Sequence, residues 1–134
     1  MSLIYPMLAQ IGWTFFLLVL TAWVRNAALK TRKVRVGEIA LGNGSWPEKV
    51  KAVGNNLNNQ FETPVLFFAL CGIAIHVGAT HWGVVALAWV YIVCRVIHTA
   101  IHISTNHVLR RFQAFLVGVI ALFGMFIVIV ARLA

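Results

Sequence analysis

Two stretches of twenty consecutive residues, Tyr5–Val24 and Phe112–Ala131, contain no charged side chain. A helix needs about 20 apolar residues to cross a hydrocarbon core of about 30 Å, so either run can span a bilayer. A soluble chain of 134 residues keeps much of its surface in water and has nowhere to hide both. The remainder of the chain is no more polar: 61% of residues are hydrophobic, 10% are charged, and the mean hydropathy is +0.89. The sequence predicts an all-α integral membrane protein with a single domain over residues 1–134.

Two further apolar stretches complete a four-transmembrane-helix bundle, with spans at 5–24, 63–79, 82–103 and 112–131. Helices are expected near 3–30, 46–77, 82–107 and 111–133. The uncharged start, Met1 to Pro6, lacks the positive region of a cleavable signal, so the first run is read as a helix of the mature protein. Ser45 and Glu48 have the spacing of a capping box, with Pro47 early in the first turn, which places the second helix's start near Trp46. Pro64 lies inside that helix and predicts a bend, because proline has no N–H to donate.

The net charge of +8 does not signal nucleic acid, because nine of the eleven Lys and Arg lie in two connectors. Seven fall within Arg25–Lys51, and Arg110 and Arg111 make the other two. The opposite side has only Arg132. Basic loops stay in the cytoplasm, so both termini are expected on the non-cytoplasmic side. Cys71 and Cys94 sit in apolar runs without a metal or disulfide spacing and read as small buried thiols.

Polar residues inside apolar spans are costly and usually face a bundle interior or a cavity. Asn55, Asn58, Asn59 and Glu62 fall on one face of the second helix, and Tyr91, Arg95, His98, His102 and Asn106 on one face of the third. Helical rise places Glu62 level with His98 and near Arg95, and Asn59 level with His102. A carboxylate at such depth needs a cation, so Glu62 is expected to meet Arg95 or His98, in its own protomer or a neighbour. One such residue reads as interhelical glue. Two facing stripes that end at Arg110 and Arg111 read better as one polar cleft open to the cytoplasm. His98 and His102 have a metal-ligand spacing, but Arg95 one turn away opposes a cation, so no metal site is assigned. His76, His81 and the five Trp read as interfacial or packing residues.

The stretches NNLNNQFETPVLFF (55–68) and RVIHTAIHISTNHVLRRF (95–112) resemble the MAPEG family, the membrane-associated proteins in eicosanoid and glutathione metabolism. The four-span layout with a large first loop agrees, so the resemblance covers nearly the whole chain, and it is greatest to the small bacterial members. It implies a homotrimer with glutathione bound between subunits near the cytoplasmic face. Family positions that hold glutathione match Asn59, Glu62 and Arg95, and the catalytic arginine that stabilises a thiolate matches Arg111 or Arg110. The chain departs from the family in having Asn55 where a glutathione-binding arginine stands. His98 and His102 replace aromatic hydroxyls.

The expectation is therefore a glutathione-dependent transferase or peroxidase of a bacterial inner membrane, acting on a lipophilic small molecule that arrives through the lipid. The alternative is a non-catalytic membrane protein that binds a lipid or quinone, or serves as a subunit of a larger complex. Neither reading names the substrate.

Overall fold

The computed structural model describes residues 2–40 and 45–134. Gly42 and Gly44 of the first connector lie outside the described residues. The chain folds as α1 (Ile4–Lys30), the single turn α2 (Val36–Ile39), α3 (Glu48–Asn58), α4 (Thr63–His76), α5 (Trp82–Ile103) and α6 (Val108–Leu133). A 3-10 turn at Asn59–Phe61 joins α3 to α4.

Helices α1, α5 and α6 are each long and apolar enough to cross a membrane. Their large apolar side chains stay exposed along one face: Tyr5, Phe15 and Val19 on α1, Ile120, Phe123 and Ile127 on α6. Water would not tolerate a patch of this extent on a stable monomer, and lipid does. The protein is an integral membrane protein.

The core lies where α4, α5 and α6 converge. Phe67, Cys71 and Ala74 of α4 pack on Val84, Ala88 and Tyr91 of α5 and on Met125 of α6. Phe67 stacks on Tyr91 with ring centroids 4.8 Å apart. Helices α5 and α6 form a tight antiparallel hairpin, and Gly118 permits a close approach. A Cβ there would meet the Cβ of Cys94 at 3.5 Å and the Tyr91 ring at 3.6 Å. Small residues at such contacts let helix backbones approach in lipid. The hairpin turns through Asn106, whose φ of 50° is left-handed, and its N–H closes the end of α5 on the Ile101 carbonyl at 2.8 Å. Cys71 and Cys94 are both free and buried, as their apolar settings predicted.

The second helix differs from the sequence expectation in two places. It does not begin on a capping box: Pro47 holds the N-cap position with ψ 148° and no side chain caps the helix. The neighbouring Trp46 is instead buried beside Ala28, Val34 and Val50, which fixes the entry of the chain without Ser45. Nor does it run unbroken to residue 77. At Glu62 the backbone takes φ −97° and ψ −97°, and α4 restarts with proline in its first turn. Pro64 has no N–H for the Gln60 carbonyl and its ring crowds that group, so the break falls just before it. The result is a separate α4 of 14 residues, about 21 Å long at about 1.5 Å per residue.

Candidate functional site

The break gives α3 and the turn after it two chemically similar faces with different surroundings. Asn56 and Gln60, one turn apart, are buried toward α1 and α5. The Gln10 amide donates to Gln60 Oε1 at 3.1 Å, and the Gln60 amide donates to the Asn56 carbonyl at 3.2 Å. Thr99 donates to Asn56 Oδ1 at 3.2 Å and receives the Trp13 indole N–H at 3.4 Å. Three helices are thus tied by one polar network. Sequence reasoning missed it, although Gln10 inside an otherwise apolar run was a visible signal.

Asn55, Asn58, Asn59 and Glu62 occupy the other face. The side chains of Asn55, Asn58 and Glu62 make no hydrogen bond to another described residue. Across from them α5 descends in antiparallel register, one turn against one turn. Tyr91 meets Thr63, hydroxyl to hydroxyl, at 3.1 Å. One turn on, Arg95 Nη2 donates to the Asn59 carbonyl at 2.8 Å, and Thr99 reaches Asn56.

This register corrects the depth estimate, which paired Asn59 with His102. Helix α5 ends at Ile103, so Asn106 belongs to the turn and is no marker of the third helix's end. It also answers the expected ion pair. Within the chain, and among the described residues, Glu62 makes none, because the break turns it outward into an exposed position while Arg95 takes a backbone carbonyl.

His98 and His102 are buried, edge to face, with ring centroids 5.7 Å apart. The Nδ1 of each is buried without a hydrogen-bond partner among the described residues. Buried polar atoms of this kind are uncommon and mark places where a polar group can be accepted. Arg111, on the first turn of α6, donates to Asn106 Oδ1 at 2.8 Å. His107 caps that helix by accepting the Arg110 N–H, much as His81 caps α5 by accepting from Gly83. His81 therefore has a structural role beyond an interfacial one.

Two adjoining cavities result. One, of about 360 Å³, is lined by Asn55, Asn58, Asn59, Glu62, His102 and Arg111. The other, of about 220 Å³, is lined by Asn59, His98, Val108, Arg111, Phe112 and Phe115. Asn59 and Arg111 belong to both, so a polar chamber abuts one with apolar walls. Of the two candidate arginines, Arg111 lines both cavities; Arg110 lines neither and is exposed. Arg95 lines neither and reaches the site through Asn59.

The MAPEG family model matches residues 3–131, nearly the whole chain. The chain belongs to the MAPEG family. Among curated proteins and solved structures, none matches it. MAPEG membership places the chain among membrane proteins of the glutathione-related transferase and peroxidase type, whose members generally use glutathione.

Proposed function

We propose that this MAPEG protein is a glutathione-dependent transferase or peroxidase acting on a lipophilic electrophile. In this reading the protomer crosses a bacterial inner membrane four times, with α3, the 3-10 turn and α4 together making the second, interrupted crossing. Both termini lie on the non-cytoplasmic side, and three protomers assemble as a trimer. The observation that carries the reading is the cavity of about 360 Å³ where Asn55, Asn58, Asn59 and Glu62 meet His102 and Arg111. Its volume falls within the roughly 300–1,000 Å³ of small-molecule sites.

The residues present fit a zwitterionic peptide. Glu62 supplies a carboxylate for an ammonium group, Arg111 a guanidinium for an anion, and the asparagines donors and acceptors for peptide groups. The unpartnered Nδ1 of His102 offers another polar contact in place of the aromatic hydroxyl of relatives. When bound, glutathione supplies a thiol nucleophile. An unperturbed thiol with a pKa of about 8.5 is mostly protonated at neutral pH, and a nearby cation favours the thiolate. Arg111 is the cation placed to hold it, and the Phe112 and Phe115 walls offer an apolar acceptor its place.

The test is a glutathione titration of the purified protein, followed by thiolate absorbance in the near ultraviolet. Wild type should give a saturable rise. Arg111→Ala should weaken it by about tenfold or more, since a hydrogen bond to a charged group contributes about 1.5–3 kcal/mol. Arg110→Ala should leave it nearly unchanged. No saturable signal in wild type, with no heat of binding by calorimetry, would end the glutathione reading.

A further inference from the structure

In the sequence, the basic first connector acts as a topology signal. In the folded chain part of it is built into a groove. Helix α1 continues past Val24 to Lys30, and the first turns of α3 pack beside it. The small cluster of Ala28, Val34, Trp46 and Val50 fixes that contact, with the Arg25 guanidinium 5.4 Å from the centre of the Trp46 ring. Beside this contact lies a groove of about 480 Å³, larger than either chamber of the cleft. It shares no lining residue with them.

Three properties of the groove specify an occupant. The first is its level. Trp23 is 68% exposed at the end of the uncharged run, where an apolar chain gives way to headgroups. From there to Thr31 the groove climbs about 12 Å at the helical rise, through the depth that headgroups and upper acyl chains occupy. The second is its division into two chemistries. Trp23, Ala27 and Val50 give it an apolar wall, while Lys33, Glu48 and Lys49 are its charged members. The third is the balance of those charges. Two ammonium groups against one carboxylate leave one positive charge, and the flanking connector adds Lys30, Arg32 and Arg35 against the single carboxylate of Glu38. A zwitterionic headgroup leaves that charge unmatched, whereas a singly anionic one neutralises it.

We propose that this groove is a binding site for an anionic phospholipid of the leaflet that the first loop faces. The phosphate lies between Lys33 and Lys49, and the upper acyl chain runs along Trp23, Ala27 and Val50. Long side chains that bring both an ammonium group and an apolar stem suit this boundary.

Native mass spectrometry of the full chain in micelles, titrated with phosphatidylglycerol or phosphatidylethanolamine, tests the site. Wild type should retain phosphatidylglycerol at least fivefold more strongly than phosphatidylethanolamine. Lys33→Gln with Lys49→Gln should weaken phosphatidylglycerol binding by about ten- to thirtyfold, from the usual contribution of a basic residue near anionic lipid. Ala27→Phe fills the groove, keeps every charge, and should also weaken binding several-fold. That variant decides the matter where the double lysine variant fails to fold. Lys30→Gln with Arg32→Gln removes the same charge outside the groove and should cost less than threefold. Equal losses in the two double variants would mean diffuse attraction to a basic loop. An inert Ala27→Phe, equal retention of both lipids, or a second copy of the chain occupying the groove would each overturn the proposal.

Discussion

The two faces of α3 and its following turn carry nearly the same side chains and do opposite things. Asn56 and Gln60 point inward, are at most 3% exposed, and are bonded to α1 and α5. Asn55 and Asn58 are exposed beside a cavity, with side chains unbonded among the described residues. Residue type and depth are shared, so neither separates glue from site; bonds to other helices do. Asn56 and Gln60 make such bonds, although Asn56 Nδ2 and Gln10 Oε1 stay buried without a partner among the described residues. The side chains of Asn55 and Asn58 make none and face a cavity. The inner face should therefore respond to mutation in stability, and the outer face in binding.

Gln60→Leu should give the largest loss of stability. The substitution keeps the volume, removes the acceptor for Gln10 and leaves that buried amide with only the weaker contact to Thr14 at 3.4 Å. A buried group stranded in this way costs about 1–3 kcal/mol. Thermal unfolding in micelles, followed by circular dichroism, should show a clear fall in Tm. An unchanged Tm would mean that the inner face is not glue.

Thr99→Val is next. It removes the hydroxyl that joins Asn56 to Trp13 while keeping the shape of the side chain. Interhelical hydrogen bonds in membrane proteins contribute about 0.6 kcal/mol on average and up to about 1.7. The fall in Tm should accordingly be smaller than for Gln60→Leu, and an equal or larger fall would show that the hierarchy within the network is wrong.

How much of this was legible in the sequence follows from the same physics. Uncharged runs report helices directly, and α1 forms at Ile4–Lys30 where a helix was expected near 3–30. Periodicity also grouped Asn55, Asn58, Asn59 and Glu62 on one face, and these four do line one cavity. Periodicity cannot supply register between helices, which depends on packing. That is why Asn59 meets Arg95 through a backbone carbonyl and Glu62 makes no close ion pair with a described residue. Pro64 signalled a bend in the sequence, but the extent of the break depends on the turn at Asn59–Phe61. The inner network was hidden for a different reason. Asn56 and Gln60 lie between the very residues that marked the stripe, and Gln10 stands alone in α1, so no repeat draws attention to them.

The smallest effect on stability, and the sharpest separation of the two faces, should come from Asn58→Ala and Glu62→Gln. Both residues are exposed, and the side chain of neither is hydrogen-bonded to a described residue, so Asn58→Ala strands nothing buried, while Glu62→Gln removes only a longer-range attraction to the buried Arg95 guanidinium. Surface substitutions free of such features usually stay within about 0.5 kcal/mol. Tm in micelles should therefore move less for either variant than for Thr99→Val. Glutathione titration should rank them the other way. Glu62→Gln removes the only carboxylate among the cavity's described lining residues and should weaken binding by about tenfold or more, as expected for a charged hydrogen bond of about 1.5–3 kcal/mol. Asn58→Ala loses one neutral contact of about 0.5–1.5 kcal/mol and should weaken binding only by about two- to tenfold. A large fall in Tm for Glu62→Gln with binding intact would reverse the roles given to the two faces. It would make support of Arg95 or a contact between protomers the main role of Glu62 and leave the cavity without its anchor for an ammonium group.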